Sequence, residues 1–184
     1  KSERPIIIAG DGIKISKSKD LFLEIINHLD VLVIPTWKAM DMLHEKHGLY
    51  AGRCGILGER SANFAVQNSD LLLCIGSKLD FTQTGFDTKS FARAAKKIVI
   101  DIDKNEIKKL DFKVDLKIIA DAGLVLKEIA DQLNNLKVKD RSAWKDKIKQ
   151  WRKKYPIVLE EYYTKSGLVN PYMLIDVLSG EATS

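Results

Sequence analysis

Pro5-Ile6-Ile7-Ile8-Ala9-Gly10-Asp11-Gly12, near the start of the chain, is an unbroken apolar run that ends on a pair of glycines. Apolar residues without polar alternation suit a strand buried on both faces, as in a parallel sheet. Glycines directly after such a strand make the tight turn from which a doubly wound fold enters its first helix. Four more runs repeat the pattern: Val31-Leu32-Val33-Ile34, Leu71-Leu72-Leu73-Cys74-Ile75, Ile98-Val99-Ile100 and Leu116-Lys117-Ile118-Ile119. A short stretch near 50–54 supplies a sixth. Helical patterns near 19–29, 60–68, 88–94 and 122–135 separate them, the last with Leu124, Leu126, Ile129, Ala130 and Leu133 on one expected face. The alternation predicts an α/β fold, a doubly wound, six-stranded, mainly parallel sheet with helices on both faces.

The whole chain has 184 residues, 45% apolar and 30% charged, the size and balance of one globular domain with a little to spare. No apolar stretch approaches the ~18 residues of a membrane span, and no signal-peptide pattern opens the sequence. Cys54 and Cys74 form no CxxC motif and read as reduced thiols. A soluble, cytoplasmic protein is expected. The net charge of +5 is unevenly placed. Lys137, Lys139, Arg141, Lys145, Lys147, Lys149, Arg152, Lys153 and Lys154 face only Asp140 and Asp146 within 137–154, so the remaining chain is slightly acidic. A basic run can bind nucleic acid, but on an amphipathic helix it more often forms a solvated face.

The pattern changes after Leu136. Trp144, Ile148, Trp151 and Tyr155 fall on one helical stripe that must pack either on the domain or on a neighbour. Asn170-Pro171 then opens another helix, with Tyr172, Leu174, Ile175 and Leu178 as its apolar residues. Three segments are expected: an α/β domain over 1–136, a basic amphipathic linker helix over 137–156, and the start of a truncated further domain over 157–184. Both ends read as cuts in a longer polypeptide.

Several chemical motifs begin and fail. GxGxxG would need a third glycine at 15, which is Ile15, and an acid after the second strand, where Ile34-Pro35-Thr36 stands. The Gly10-Asp11-Gly12 triplet opens a magnesium–diphosphate motif only when Asn-Asn follows about thirty residues on, and here only Asn27 is in reach. His44 and His47, with Asp41 and Glu45, have ligand-like spacing, but no further ligand recurs, and a surface loop explains them better. GxSxG, Walker and HExxH motifs are missing from the sequence. No catalytic or metal-ligating constellation emerges. Gly55, Gly58, Gly76, Ser77, Asp101 and Asp121 remain, glycines and small polar residues after strands, where an open α/β sheet forms its ligand crevice.

In order along the chain, these segments resemble the central domain of acetolactate-synthase-like thiamine diphosphate (ThDP) enzymes. Arg4-Pro5-Ile6-Ile7-Ile8-Ala9-Gly10-Asp11-Gly12 is similar to the family's RPVILAGxG strand, and Val33-Ile34-Pro35-Thr36-Trp37 to PVxTTW. His47-Gly48-Leu49-Tyr50-Ala51-Gly52 resembles HPLYLG, and Ile100-Asp101-Ile102-Asp103-Lys104-Asn105-Glu106-Ile107 resembles IDIDPAEI. The likeness covers about residues 4–133. It implies a Rossmann-like central domain in a homo-oligomeric carboligase or decarboxylase acting on a 2-keto acid. ThDP and Mg2+ would then lie with the pyrimidine- and diphosphate-binding domains, the partners of this segment, and the fragment alone would be inactive.

The resemblance also implies an FAD- or ADP-type site in the crevice. Gly10, Gly12, Thr36, Trp37, Gly55, Gly58, Gly76, Asp101, Ile102, Asp121 and Ala122 stand where relatives contact FAD, and Ser77, Lys78 and Asp80 belong to the same crevice. Three positions depart from the flavin-binding pattern: Leu57 replaces a histidine, and Lys78 and Thr82 replace arginines. Arginine holds a diphosphate through a bidentate fork that lysine and threonine cannot reproduce. Lys78 is the expected phosphate contact and Asp101 the expected hydroxyl acceptor, against the alternative that Lys78 and Asp80 merely brace their loop. Two other function classes compete: a free-standing nucleotide-binding module, and a nucleic-acid-associated domain acting through the basic helix. Neither membrane nor nucleic-acid binding is expected.

Overall fold

Isoleucine and valine, branched at Cβ and suited to a pleated surface, together with leucine supply most of five strands among the described residues. They are β1 (Pro5–Ala9), β2 (Leu32–Pro35), β3 (Leu71–Ile75), β4 (Lys96–Asp101) and β5 (Leu116–Ile119). The computed structural model describes residues 2–164 and 167–182, so the expected segment ends at residues 1 and 184 lie outside the described residues. The strands make one parallel sheet in the order β2-β1-β3-β4-β5, with Ile7 opposite Val33 on one side and Leu73 on the other. Between and after them come helices α1 (Gly12–Ile15), α2 (Lys19–Leu29), α3 (Arg60–Asn68), α4 (Phe81–Thr84), α5 (Lys104–Lys108), α6 (Ala122–Gln132), α7 (Ser142–Lys154), α8 (Glu161–Thr164) and α9 (Pro171–Glu181).

The central strand β1 and its neighbour β2 are buried along their whole length, as their continuous apolar runs require, whereas the edge strand β5 leaves Leu116 and Ile119 about half exposed. Ile6, Ile8, Leu72, Cys74 and Val99 face a core closed by Ala62, Ala65 and Val66 of α3 and by Trp144 and Ile148 of α7. Ile7, Ala9, Val33, Ile75 and Ile100 face a second core closed by Phe22 and Ile26 of α2 and Leu126 of α6. Burial pushes the Cys54 thiol up to about 12 and raises that of Cys74 as well, so both remain protonated and unreactive.

Among the described residues the sheet has five strands rather than six. The 50–54 stretch contributes one parallel bridge, Val33 to Tyr50, in which Val33 N–H donates to Leu49 O and Ala51 N–H donates to Val33 O. Gly52 and Gly55 then turn to positive φ, +95° and +121°, and leave the extended region before a second rung can form. The 88–94 pattern likewise yields only a single 3-10 turn, Thr88–Ser90. Phe91 swings into the core against the Phe112 ring instead, 5.4 Å between centroids. On α6 the buried face carries Ala122 and Leu126, with Val125 and Ile129 partly buried, and buried Leu133 follows in the 3-10 turn after the helix. Leu124 is 66% exposed, because two residues place it about 200° from the fully buried Leu126, on the opposite side of the helix.

The tryptophan stripe packs on the domain itself. Trp144 and Ile148 are buried, and Trp144 Nε1 donates to the backbone oxygen of Pro5 at 3.3 Å. Phe64 of α3 meets both Trp151 and Tyr155, at 5.7 and 5.4 Å between centroids. Polar contacts fasten the other flanks. Lys145 pairs with Asp30 at 2.6 Å, and Arg152 lies over the Tyr50 ring while donating to the Tyr50 carbonyl. Asn170 caps α9 through the Tyr172 N–H, with Pro171 at the first helical position. Tyr172, Ile175 and Leu178 on that helix are more than half exposed.

Candidate functional site

Parallel strands all end on one edge, and there their loops surround a cleft of about 880 Å3. Each strand contributes: Gly12 after β1, Thr36 and Trp37 after β2, Gly76, Ser77, Lys78 and Asp80 after β3, Asp101 and Ile102 at β4, and Asp121 and Ala122 after β5. The structure thus gathers eleven of the fourteen sequence-predicted residues into one lining. Gly10, Gly55 and Gly58 stand behind it.

The glycines are required by backbone crossing. β1 lies between β2 and β3, so the chain reverses its winding direction at this point and two loops must pass each other. Gly10 N–H donates to Ile75 O and Gly12 N–H to Gly76 O, at 2.9 and 3.0 Å. A Cβ on Gly10 would stand 2.0 Å from Gly76 O. Gly55 meets Thr82 in the same way, and the Asn63 side chain brackets it by accepting from its N–H and donating to its carbonyl. That docking pushes Ile56 and Leu57 into the lining.

The carboxylates of the cleft are engaged in local turns. Asp80 Oδ1 accepts from Thr82 N–H and caps α4. Asp121 Oδ1 accepts from the N–H groups of Gly123 and Leu124 and caps α6, while Asp101 Oδ1 accepts from Asp103 N–H. Asp103, next to the cleft, caps α5 through Asn105 N–H. The helix ends that could attract an anion are therefore already supplied with negative charge by the chain's own side chains. Lys78 is 3.7 Å from Glu106, which also takes Lys109 at 2.6 Å. Asp11 pairs with Lys14, whose ammonium is shared with Asp41. Over the whole lining, five carboxylates (Asp11, Asp80, Asp101, Glu106, Asp121) meet two lysines, Lys38 and Lys78.

Sequence reasoning placed Ile102 in the crevice and singled out Leu57, but missed Ile15, Phe81 and Phe86, which complete the cleft's apolar rim. Phe81 and Phe86 stack at 5.7 Å and, with Ile15, Leu57 and Ile102, are each more than half exposed. The available signal was aromatic residues in the polar stretch after β3, out of step with any strand or helix period. His44 and His47 serve their loop instead: each Nδ1 accepts a backbone N–H two residues on, from Lys46 and Leu49. No group of three or more potential ligand side chains collects around a metal site among the described residues.

Residues 1–129 match the family model described as "Thiamine pyrophosphate enzyme, central domain". The chain belongs to that family. Among similar proteins, a probable acetolactate synthase large subunit of Methanococcus aeolicus is 40% identical over 82% of this chain and 25% of its own length. One from Methanocaldococcus jannaschii is 36% identical over 83% of the chain and 26% of its own length. The acetolactate synthase large subunit of Cyanidium caldarium is 32% identical over 97% of the chain and 30% of its own length. The chain therefore spans between a quarter and a third of the length of these curated relatives. No helix among the described residues is long and apolar enough to cross a membrane.

Proposed function

We propose that this chain is the central segment of an acetolactate-synthase-type carboligase or decarboxylase acting on a 2-keto acid, and that it spaces and orients the catalytic domains without reacting itself. The observation carrying this reading is the 40% identity to an acetolactate synthase large subunit over most of the chain. ThDP, held with Mg2+ by flanking pyrimidine- and diphosphate-binding domains, would supply the carbanion chemistry. The residues here do not fit that cofactor: Asp11, the acid of the glycine turn, is paired with Lys14. The proposed division is 1–136 for the central domain, 137–156 for the basic helix and 157–184 for the beginning of the next domain, in a cytoplasmic homo-oligomer.

The cleft has the volume for a nucleotide, yet it does not suit the diphosphate of FAD or ADP. Five carboxylates against two lysines repel a diphosphate, and neither a Thr82 hydroxyl nor a Lys78 already near Glu106 replaces an arginine fork. We therefore read the cleft as a flavin-type site that has lost its phosphate recognition. Thr36, Trp37, Ile102 and Ala122 keep only its shape.

The test is a domain exchange. Replacing the matching segment of the Methanococcus aeolicus large subunit with residues 4–155 should preserve acetolactate formation from pyruvate, whereas the 184-residue chain alone, given ThDP and Mg2+, should form none. A folded, ThDP-loaded chimaera without activity, or turnover by the chain alone, would contradict the proposal.

A further inference from the structure

At the other end of the sheet a second cleft, of about 890 Å3, opens below the N-terminal ends of β1, β3 and β4. Its charge is the reverse of the first. Arg4, Arg93, Lys139, Arg141 and Lys147 line it, opposed by Glu3 and Asp140. The indoles of Trp144 and Trp151 form one wall.

How the cations are held matters more than their number. Arg4 Nε donates to the backbone oxygen of Asn68 at 2.8 Å, and Arg141 Nη1 donates to that of Leu29 at 2.9 Å. Neutral carbonyls thus fix both guanidinium groups in place without cancelling their charge. Arg93 has no hydrogen bond or ion pair among the described residues, and Lys147 lies over the Trp151 ring at 5.6 Å. The nearby acids, Glu3 and Asp140 in the lining and Asp70 beside Arg4, reduce the positive excess of the cleft without cancelling it. Asp140 accepts from the N–H and hydroxyl of Ser142, and Asp70 accepts from the N–H groups of Glu3 and Arg4 and from the Ser2 hydroxyl. Positive charge gathered beside low-dielectric aromatic walls produces a field that a polyanion relieves.

We propose that this cleft binds a ligand carrying two or more linked phosphate groups, with Arg4, Arg93 and Lys147 as the phosphate contacts. Arginine forks match phosphate oxygens in pairs, and Lys147 adds a point charge on the same wall. The site is separate from the cleft at the opposite strand ends and does not depend on the function proposed for that one.

Isothermal titration of the 184-residue chain at low salt, with inorganic pyrophosphate and with ATP as probes, tests it. One saturable site is expected for both probes, weakened about tenfold by Arg93→Ala and again by Lys147→Ala, a loss of about 1.4 kcal/mol each. Both side chains are exposed, and unchanged melting temperatures would show that the variants fold. Lys78→Ala, in the other cleft, should leave the affinity unchanged. Tighter binding of ATP than of pyrophosphate brings the indoles into the site, and equal binding confines it to the phosphates. Three results overturn the proposal: no saturable binding, binding indifferent to Arg93→Ala and Lys147→Ala, or duplex RNA held more tightly than ATP and lost on Lys153→Ala and Lys154→Ala.

Discussion

Gly10 shows what a single residue contributes here. A glycine turn after β1 was legible from the sequence, because an apolar run ending in glycine has few other uses. Its reason was not, since the atom that excludes a side chain belongs to Gly76, 66 positions away in the chain. Gly10→Ala should cost roughly 3 kcal/mol or prevent folding, as overpacking against backbone cannot be relieved by a rotamer change. Thermal unfolding and soluble yield measure this. Lys97 is the opposite case, a residue that the sheet would hold better without its charge. It is buried in β4 opposite Leu72, with Nζ donating to the carbonyl of Ala95 at 3.3 Å, and burial lowers its pKa by more than the nearby Asp115 carboxylate raises it. A lysine with a depressed folded pKa destabilises the fold while charged and ceases to do so as pH rises through that pKa toward 10.5. Lys97→Met should therefore raise Tm at pH 7 by about 3 °C, and the gain should shrink at alkaline pH.

At the scale of elements, sequence period was a good guide where one face meets one core. α2, α3 and the five strands fall within a residue or two of their expected places. It failed where the 50–54 stretch lacked a second rung once Gly52 turned, and where Leu124, about 200° round α6 from the buried Leu126, could not share its face. The α7 stripe was legible as a stripe, but not what covers it, because the matching ring, Phe64, sits on another helix. Trp144→Ala should cost about 3–5 kcal/mol by denaturant unfolding, whereas Lys153→Ala and Lys154→Ala should each change stability by less than about 0.5 kcal/mol. Asp70 fastens the N-terminal segment to β3. Burial alone would raise its carboxyl, but hydrogen bonds from the Ser2 hydroxyl and the Glu3 and Arg4 N–H groups bring it below 3.8. Its stabilising contribution is complete above pH ~4 and is lost as pH falls through the lowered value. Acid unfolding of Asp70→Asn should accordingly be less steep than that of the parent chain.

Across the whole molecule, the sheet separates two clefts of similar volume and opposite charge, one at each end of its strands. The position of the first was readable because every parallel strand delivers its following loop to the same edge. Its electrostatic character was not, since it depends on where Asp80, Asp101 and Asp121 spend their oxygens and on Glu106 reaching toward Lys78. That character leads to a measurement. FAD should bind the chain more weakly than about 10 μM, and Lys78→Ala should barely alter that value, because an exposed lysine beside a glutamate offers little to a phosphate. Restoring two forks with Lys78→Arg and Thr82→Arg should strengthen FAD binding at least about tenfold, read from quenching of flavin fluorescence. Submicromolar FAD binding by the unaltered chain would mean that the cleft's backbone N–H groups alone can hold a diphosphate against five carboxylates. No gain from the paired arginines would mean that the apolar rim of Phe81, Phe86 and Leu57, rather than charge, now governs what enters.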